Sequence, residues 1–318
     1  MDYTQFFKTR YELSDPWPDE LGCDAFISAY NDTTRVKAVF AAARASKKIW
    51  AIHDEYGFRE AERPAGTVFA PGPVGEAEFV VRLLQESNIS PDRELVCIDT
   101  TGFMRPHILV LLRVLQQKGA RRALFLYSEP QQYANREKTA FAGATIREVR
   151  PVQGFAGSHD LLGSSTDLLV LGVGYETELV KQVAYSRRGA KKMKVFGFPP
   201  LQAEFFQENL VRASLASQAV GDDAEILFAP ANDPFVTADV ISAMIASERR
   251  TRGVGNVYLS PLSTKPQTLG FGLYYLFECS GGSTSIVYPF SESYSRGPST
   301  GVSHVWVYDV ELPDRATG

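Results

Sequence analysis

Four short polar stretches of this 318-residue chain carry the residue types that bind anions. Asn31-Asp32-Thr33 and Gly174-Tyr175-Glu176-Thr177 each follow an apolar run and lead into a helical pattern. Asp99-Thr100-Thr101-Gly102, with Arg105 close behind, and the segment holding Ser260, Ser263, Thr264 and Lys265 do the same. A hydroxyl, a glycine and a cation at the start of a helix suit a phosphate or carboxylate, because the free N–H groups and the positive helix end face it. The same residues also serve as ordinary helix N-caps. Their recurrence at equivalent places in both halves, with the cation kept, sets a ligand role level with the capping role. His53 leads into Asp54-Glu55-Tyr56, an acidic and imidazole cluster at a strand end; with Asp99 this makes His53, Glu55 and Asp99 the candidates for acid–base chemistry. Tyr30, Tyr127, Tyr133, Tyr175, Tyr288 and Tyr294 stand at strand ends, where a tyrosine either stacks on a base or half-buries its own ring.

The elements that must position these residues occur twice. Asp24 to Tyr30 is an apolar run, followed by a polar loop, a helical pattern through Val36, Val39 and Phe40, and Lys47-Lys48 entering Ile49 to Ile52. Asp167 to Gly172, the helical pattern through Val180 and Val183, and Lys191-Lys192 entering Met193 to Phe196 repeat that order at an offset of 144 residues. Strand, loop, helix, strand is the reading of both. Phe69-Ala70-Pro71 and Phe228-Ala229-Pro230 then match at an offset of 159, so the second copy is longer by an amphipathic insertion between Pro200 and Leu215.

A third block completes each copy. Leu95 to Ile98, the Asp99 loop, Arg105-Pro106 opening a Leu-rich helix and Ala123 to Tyr127 correspond to Val257 to Leu259, the Ser260 loop, Lys265-Pro266 and Ser285 to Tyr288. Proline fits the first helical turn, where its missing N–H is not needed. Alternating segments at Thr145 to Val149 and His304 to Val310 read as the antiparallel or edge strand that closes its own copy. The expected architecture is α/β: two tandem Rossmann-like three-layer units related by internal duplication. Residues 1–155 form the first with an N-terminal extension, and 156–318 the second with an inserted helix near 200–215.

Composition sets the outer limits. Hydrophobic residues at 44%, charged residues at 22% and a net charge of −4 describe an ordinary globular chain without a global pull toward polyanions, so nucleic acid is not the expected primary partner. Arg121-Arg122 and the basic run from Arg187 to Lys192 read as solvated helix ends. Cys23, Cys97 and Cys279 lack metal or redox spacing, which fits a reducing cytoplasm and an absent metal. No segment has the length of a membrane span. Gly172-Val173-Gly174 lacks the third glycine of a dinucleotide loop, and no P-loop, zinc-protease or nucleophile-elbow motif occurs, so no cofactor is expected.

The Asp99-Thr100-Thr101-Gly102-Phe103-Met104-Arg105 segment resembles the Asn-x-Thr-Gly-Gly-Thr-Lys loop of CARF domains, the Rossmann-like sensors of cyclic oligoadenylates in CRISPR-linked systems. The likeness lies in the acidic or amide position, the threonine, the first glycine and the cation; Leu259 to Lys265 is similar through Thr264-Lys265. Neither copy has the double glycine. The resemblance implies a pseudo-dimer with a nucleotide-sized ligand between its lobes, acting as a cytoplasmic sensor or adaptor in bacterial antiviral defence, with output through a protein partner or oligomer. Two alternatives stand beside it. One is a nucleotide-processing hydrolase, either ring-nuclease-like or glycosidic, in which Asp99, His53 and Glu55 act with Lys265 or Arg105 as anion stabiliser. The other is a non-catalytic subunit of a larger complex.

Overall fold

A computed structural model describes residues 1–12, 21–133, 146–159, 166–174, 176–201, 207, 211, 220, 224–279, 281–294, 296 and 299–313. Tyr175 and most of the expected insertion between 200 and 215 lie outside the described residues. In chain order the strands and α-helices are β1 (Phe7–Tyr11), β2 (Cys23–Ala29), α1 (Thr34–Ala42), β3 (Ala45–Ala51), β4 (Thr67–Phe69), α2 (Glu76–Glu86), β5 (Val96–Asp99), α3 (Arg105–Gln117), β6 (Arg122–Ser128) and β7 (Gln132–Tyr133). They continue as β8 (Ile146–Pro151), β9 (Leu168–Val173), α4 (Thr177–Ser186), β10 (Lys191–Gly197), β11 (Glu225–Ala229), α5 (Pro234–Arg252), β12 (Val257–Pro261), α6 (Lys265–Glu278), β13 (Thr284–Ser291), β14 (Ser299–Thr300) and β15 (Val305–Glu311).

The chain divides into two α/β units. The first comprises Phe6–Gly143 and Glu292–Gly318, the second Met1–Gln5 and Ala144–Ser291. The first unit's sheet has the order β1-β15-β6-β5-β2-β3-β4, and its strands from β6 to β4 are parallel. The second has the order β11-β10-β9-β12-β13-β8, parallel from β11 to β13. Numbered within each unit, both parallel stretches run third, second, first, fourth, fifth, which is the Rossmann-like order. Strand sequences explain the placement. Leu168 to Val173 is buried at every position, as a central strand covered on both faces requires, whereas β11 exposes Ile226 and Phe228 at the sheet edge.

Helices cover the first sheet on both faces, with α1 against β2 and β6 while α2 packs on α3. In the second unit α4 lies against β8, β9 and β13, and α5 packs on α6. Helix starts follow the residue chemistry: Asp233 accepts from the N–H groups of Phe235 and Val236 at 3.0 and 3.1 Å, and Pro234 opens α5.

One expectation is overturned. The two closing strands do not complete their own copies. β15 pairs antiparallel with β6 from Val305↔Ser128 to Glu311↔Arg122, and β8 pairs antiparallel with β13. Each unit therefore takes its sixth strand from the other half of the chain, and the first unit adds β1 outside β15. A division at 155/156 separates each strand from its sheet. Alternation marks a segment as a half-buried strand but says nothing of which ladder it joins.

Candidate functional site

In both sheets the connections reverse direction between the first and fourth parallel strands, β2 and β5 in the first unit and β9 and β12 in the second. Ligands of open α/β sheets gather outside the carboxyl ends of the strands at this point. In the first unit the Asn31 and Asp99 loops meet there, and most of their side chains are occupied internally. Asp99, fully buried, accepts from Ser28 Oγ at 2.8 Å and from the Thr101 N–H at 3.0 Å. The N–H and hydroxyl of Thr100 both donate to the Leu126 carbonyl, at 2.8 and 2.6 Å. Thr101 Oγ1 accepts from the Ser128 N–H at 3.0 Å and lies 3.0 Å from Ser128 Oγ. These bonds fasten the loop across the ends of β2, β5 and β6. Asp99, Thr100 and Thr101 thus act as loop anchors rather than as ligand-facing groups.

Gly102 explains the glycine in that loop. A Cβ there would lie 1.7 Å from the Ala29 carbonyl oxygen, so backbone sits directly on the end of β2. Gly102→Ala is expected to cost more than about 3 kcal/mol, because the blocking atom is main chain and cannot swing aside. Urea unfolding followed by circular dichroism measures it, and a loss below 1 kcal/mol would contradict this packing.

The groups left facing the crevice come mostly from helix starts. Asn31 Oδ1 accepts from the N–H and hydroxyl of Thr33, at 3.2 and 2.7 Å, and so shapes the turn into α1. Asp32, at φ +64, keeps an exposed carboxylate that pairs with Lys37 and accepts from Tyr30 Oη at 2.9 Å. Lys37, then Tyr30, hold its carboxyl below the usual range. Arg35, in the first turn of α1 and 5% exposed, donates from Nη1 to the Ser128 carbonyl at 2.7 Å and lies 5.8 Å from the Tyr127 ring centre. Tyr56 is buried and donates from its hydroxyl to the Gly102 carbonyl at 3.0 Å. Burial, reinforced by Glu55, pushes the Tyr56 phenol up; the guanidinium charges of Arg35 and Arg105 and a bond from Asn31 oppose that rise. Arg105, half-buried, opens α3. Arg35 and Arg105 thus stand at the starts of the two helices that follow the adjacent strands β2 and β5.

His53 is placed differently from its expected role. It is 1% exposed, stacks on Phe79 at 4.8 Å and 11°, and meets Phe103 and Tyr56 edge-on. His107 lies 4.3 Å away, centre to centre. Burial lowers the His107 imidazole to about 4, with the buried Glu76 carboxylate pulling weakly the other way. Both histidines are packed inside an aromatic core, and burial favours the neutral form of His107. Tyr30 packs into a neighbouring cluster with Trp50 and Phe58, and Tyr127 and Tyr288 are buried, so these three rings offer no open face for a base.

The second unit repeats the loop crossing. A Cβ on Gly174 would lie 2.6 Å from the Leu262 carbonyl oxygen. Ser260 and Ser263 are buried, and the Ser260 hydroxyl has no hydrogen-bond partner among the described residues. Thr264 is an N-cap: its Oγ1 accepts from the Gln267 N–H at 3.3 Å and donates to the Ala231 carbonyl at 2.5 Å. Glu176 occupies the N-cap position of α4, Thr177 opens that helix, and Lys265 opens α6. The 144-residue offset puts buried Leu179 where the first unit has Arg35, so the paired guanidinium groups belong to the first unit.

No family model and no curated protein matches this chain. Among solved structures it is similar to CobK precorrin-6A reductase, at 13% identity over 83% of this chain and 87% of that one, with a TM-score of 0.26. Among the described residues no helix is long and apolar enough to cross a membrane, and no three His, Cys, Asp or Glu side chains gather as a metal site.

Sequence reasoning passed over Arg35, Ser128 and Glu129, and named Tyr56 only as a neighbour of His53. Arg35 had a usable signal, a cation two residues after an N-cap threonine. The others had none, because their meaning depends on a neighbouring strand.

Proposed function

We propose that this chain binds a small phosphate- or carboxylate-bearing ligand, nucleotide-like in that respect, at the carboxyl end of the first unit's sheet, and serves as a sensor or adaptor. The observation that carries this reading is the placement of Arg35 and Arg105 in the first turns of α1 and α3, the helices that follow the adjacent strands β2 and β5. Helix-end N–H groups and guanidinium forks are the donors an anion of this class uses. The CARF-like Asp99 loop then has a supporting role: its buried hydrogen bonds fix the position of Arg105.

Thermal unfolding against inorganic phosphate, mononucleotides, dinucleotides and cyclic oligoadenylates tests this. A ligand bound only to the native state adds about 2.7 kcal/mol at a hundredfold excess over Kd. The expected result is a raised melting temperature that Arg105→Ala removes and Lys265→Ala, in the second unit, leaves in place. No shift with any of these compounds, or an equal shift in Arg105→Ala, overturns the reading.

A further inference from the structure

A second cluster at the carboxyl end of the first unit's sheet has the order of groups that activates a hydroxyl. Glu129 follows the last residue of β6, and Ser303 and His304 precede β15. Backbone bonds tie them together: the Glu129 N–H donates to the His304 carbonyl at 2.9 Å, and the Ser303 N–H to the Glu129 carbonyl at 2.8 Å. Glu129 is 5% exposed, and its two carboxylate oxygens have separate partners. Trp306 Nε1 donates to Oε1 at 2.7 Å, and His304 Nε2 lies 2.7 Å from Oε2. The second contact assigns the imidazole proton, because a carboxylate oxygen requires a donor; with Nε2 protonated, Nδ1 presents its lone pair. Ser303 Oγ sits 2.9 Å from that Nδ1 and is half-buried. Burial pushes the Glu129 carboxyl up, while His304 and Trp306 pull it back.

We propose that Ser303, His304 and Glu129 form a nucleophile, base and positioning carboxylate for acyl transfer, with esters as the substrate class. The roles are those of a serine hydrolase with the two imidazole nitrogens exchanged. Ser303 Oγ attacks the ester carbonyl carbon and its proton passes to His304 Nδ1. The bond to the leaving alkoxide breaks, and the imidazolium returns that proton to it as an alcohol. Water then attacks the acyl carbon and gives a proton to Nδ1, the bond to Ser303 Oγ breaks, and the imidazolium returns that proton to Oγ, releasing the acid. No oxidant or reductant is needed. Trp306 and Glu129 hold the ring in one tautomer and orientation, and the β6–β15 pairing holds both ends of the relay. A purely structural latch between these strands would need Glu129, His304 and Trp306 but not the Ser303 hydroxyl. This inference does not depend on the anion-binding reading.

The test uses the full chain with a fluorophosphonate probe, adduct mapping by mass spectrometry, and hydrolysis of p-nitrophenyl esters. Expected are an adduct on Ser303, its loss in Ser303→Ala, and at least a tenfold slower labelling in His304→Gln. Glu129→Gln, which keeps a hydrogen-bonding side chain, should lower kcat with little change in KM. Melting temperatures of all three variants separate lost reactivity from lost folding, and a chain that still melts cooperatively qualifies for comparison. The Ser303→Ala variant removes only an oxygen and keeps the comparison available if the others unfold. Absence of an adduct on Ser303 in the unmodified protein, or labelling undiminished in a folded His304→Gln variant, overturns the proposal.

Discussion

Ending the chain at Thr300 is expected to unfold the first unit, although the parallel strands of its sheet end at Ser128, 177 residues before β15 begins at Val305 (305 − 128). β15 lies between β6 and β1, so its removal strips β6 of its antiparallel partner and β1 of the ladder that joins it to the sheet. Val305, Val307, Tyr308 and Val310 are buried in that position. Burial of four such side chains is worth about 6 kcal/mol or more, comparable with the whole stability of a domain. Hydrogen exchange of β2, β5 and β6 in the truncated chain reads the effect directly. Protection equal to that of the full chain would mean that β15 is dispensable and that the pairing carries little energy. Addition of a peptide spanning residues 299–318 should restore protection, since the missing part is one strand and its ladder.

The second large effect is acid destabilisation through His107. In the unfolded chain this imidazole takes a proton near 6.5, whereas in the folded protein burial delays it to about 4. The unfolded state therefore binds more protons between those values, and folding stability falls as pH drops from 6.5 toward 4. Above 6.5 the group has no effect on the slope, and below about 4 its effect is complete at roughly 3 kcal/mol. Glu76 on α2 and His53 after β3 face the same cluster, and the buried Glu76 charge already opposes the burial effect. The matching position in the second unit holds Gln267, fully buried, with its amide donating to the Ala229 carbonyl at 3.2 Å. His107→Gln is the corresponding neutral replacement. Urea midpoints at pH 7, 5.5 and 4.5 should fall less steeply in that variant, by about one proton's worth of slope. Parallel curves for the two proteins would show that His107 is accessible to protons in the native state.

Several features of this molecule are legible in its sequence. Apolar runs alternating with helical patterns, repeated with one insertion, determine two Rossmann-like units, because each strand and helix carries its own period and its own stop signals. The start of α3 at Arg105-Pro106 and of α6 at Lys265-Pro266 follows from proline's fixed φ and absent donor. The loops after the first and fourth strands were identifiable as the place where polar groups meet, since topology alone puts them at the switch point.

What those polar groups do was decided by tertiary structure. Asp99, Thr100 and Thr101 have the composition of a ligand loop, yet neighbouring strands supply Ser28, Leu126 and Ser128 as partners, and a buried donor or acceptor takes the nearest one available. His53 reads as a strand-end acid or base until Phe79, Phe103 and His107 close around it. The exchange of β8 and β15 lies beyond the sequence because an alternating segment fits the edge of either sheet, and the two sheets here are near copies. That exchange is also what brings Glu129 to His304 across 175 residues of chain. Local sequence sets which residues become strands, helices and turns through interactions a few residues long; the choice of which strand edge and which side chain fills each remaining valence is made by packing among distant segments, and the residue types in this chain permit more than one answer until the fold selects it.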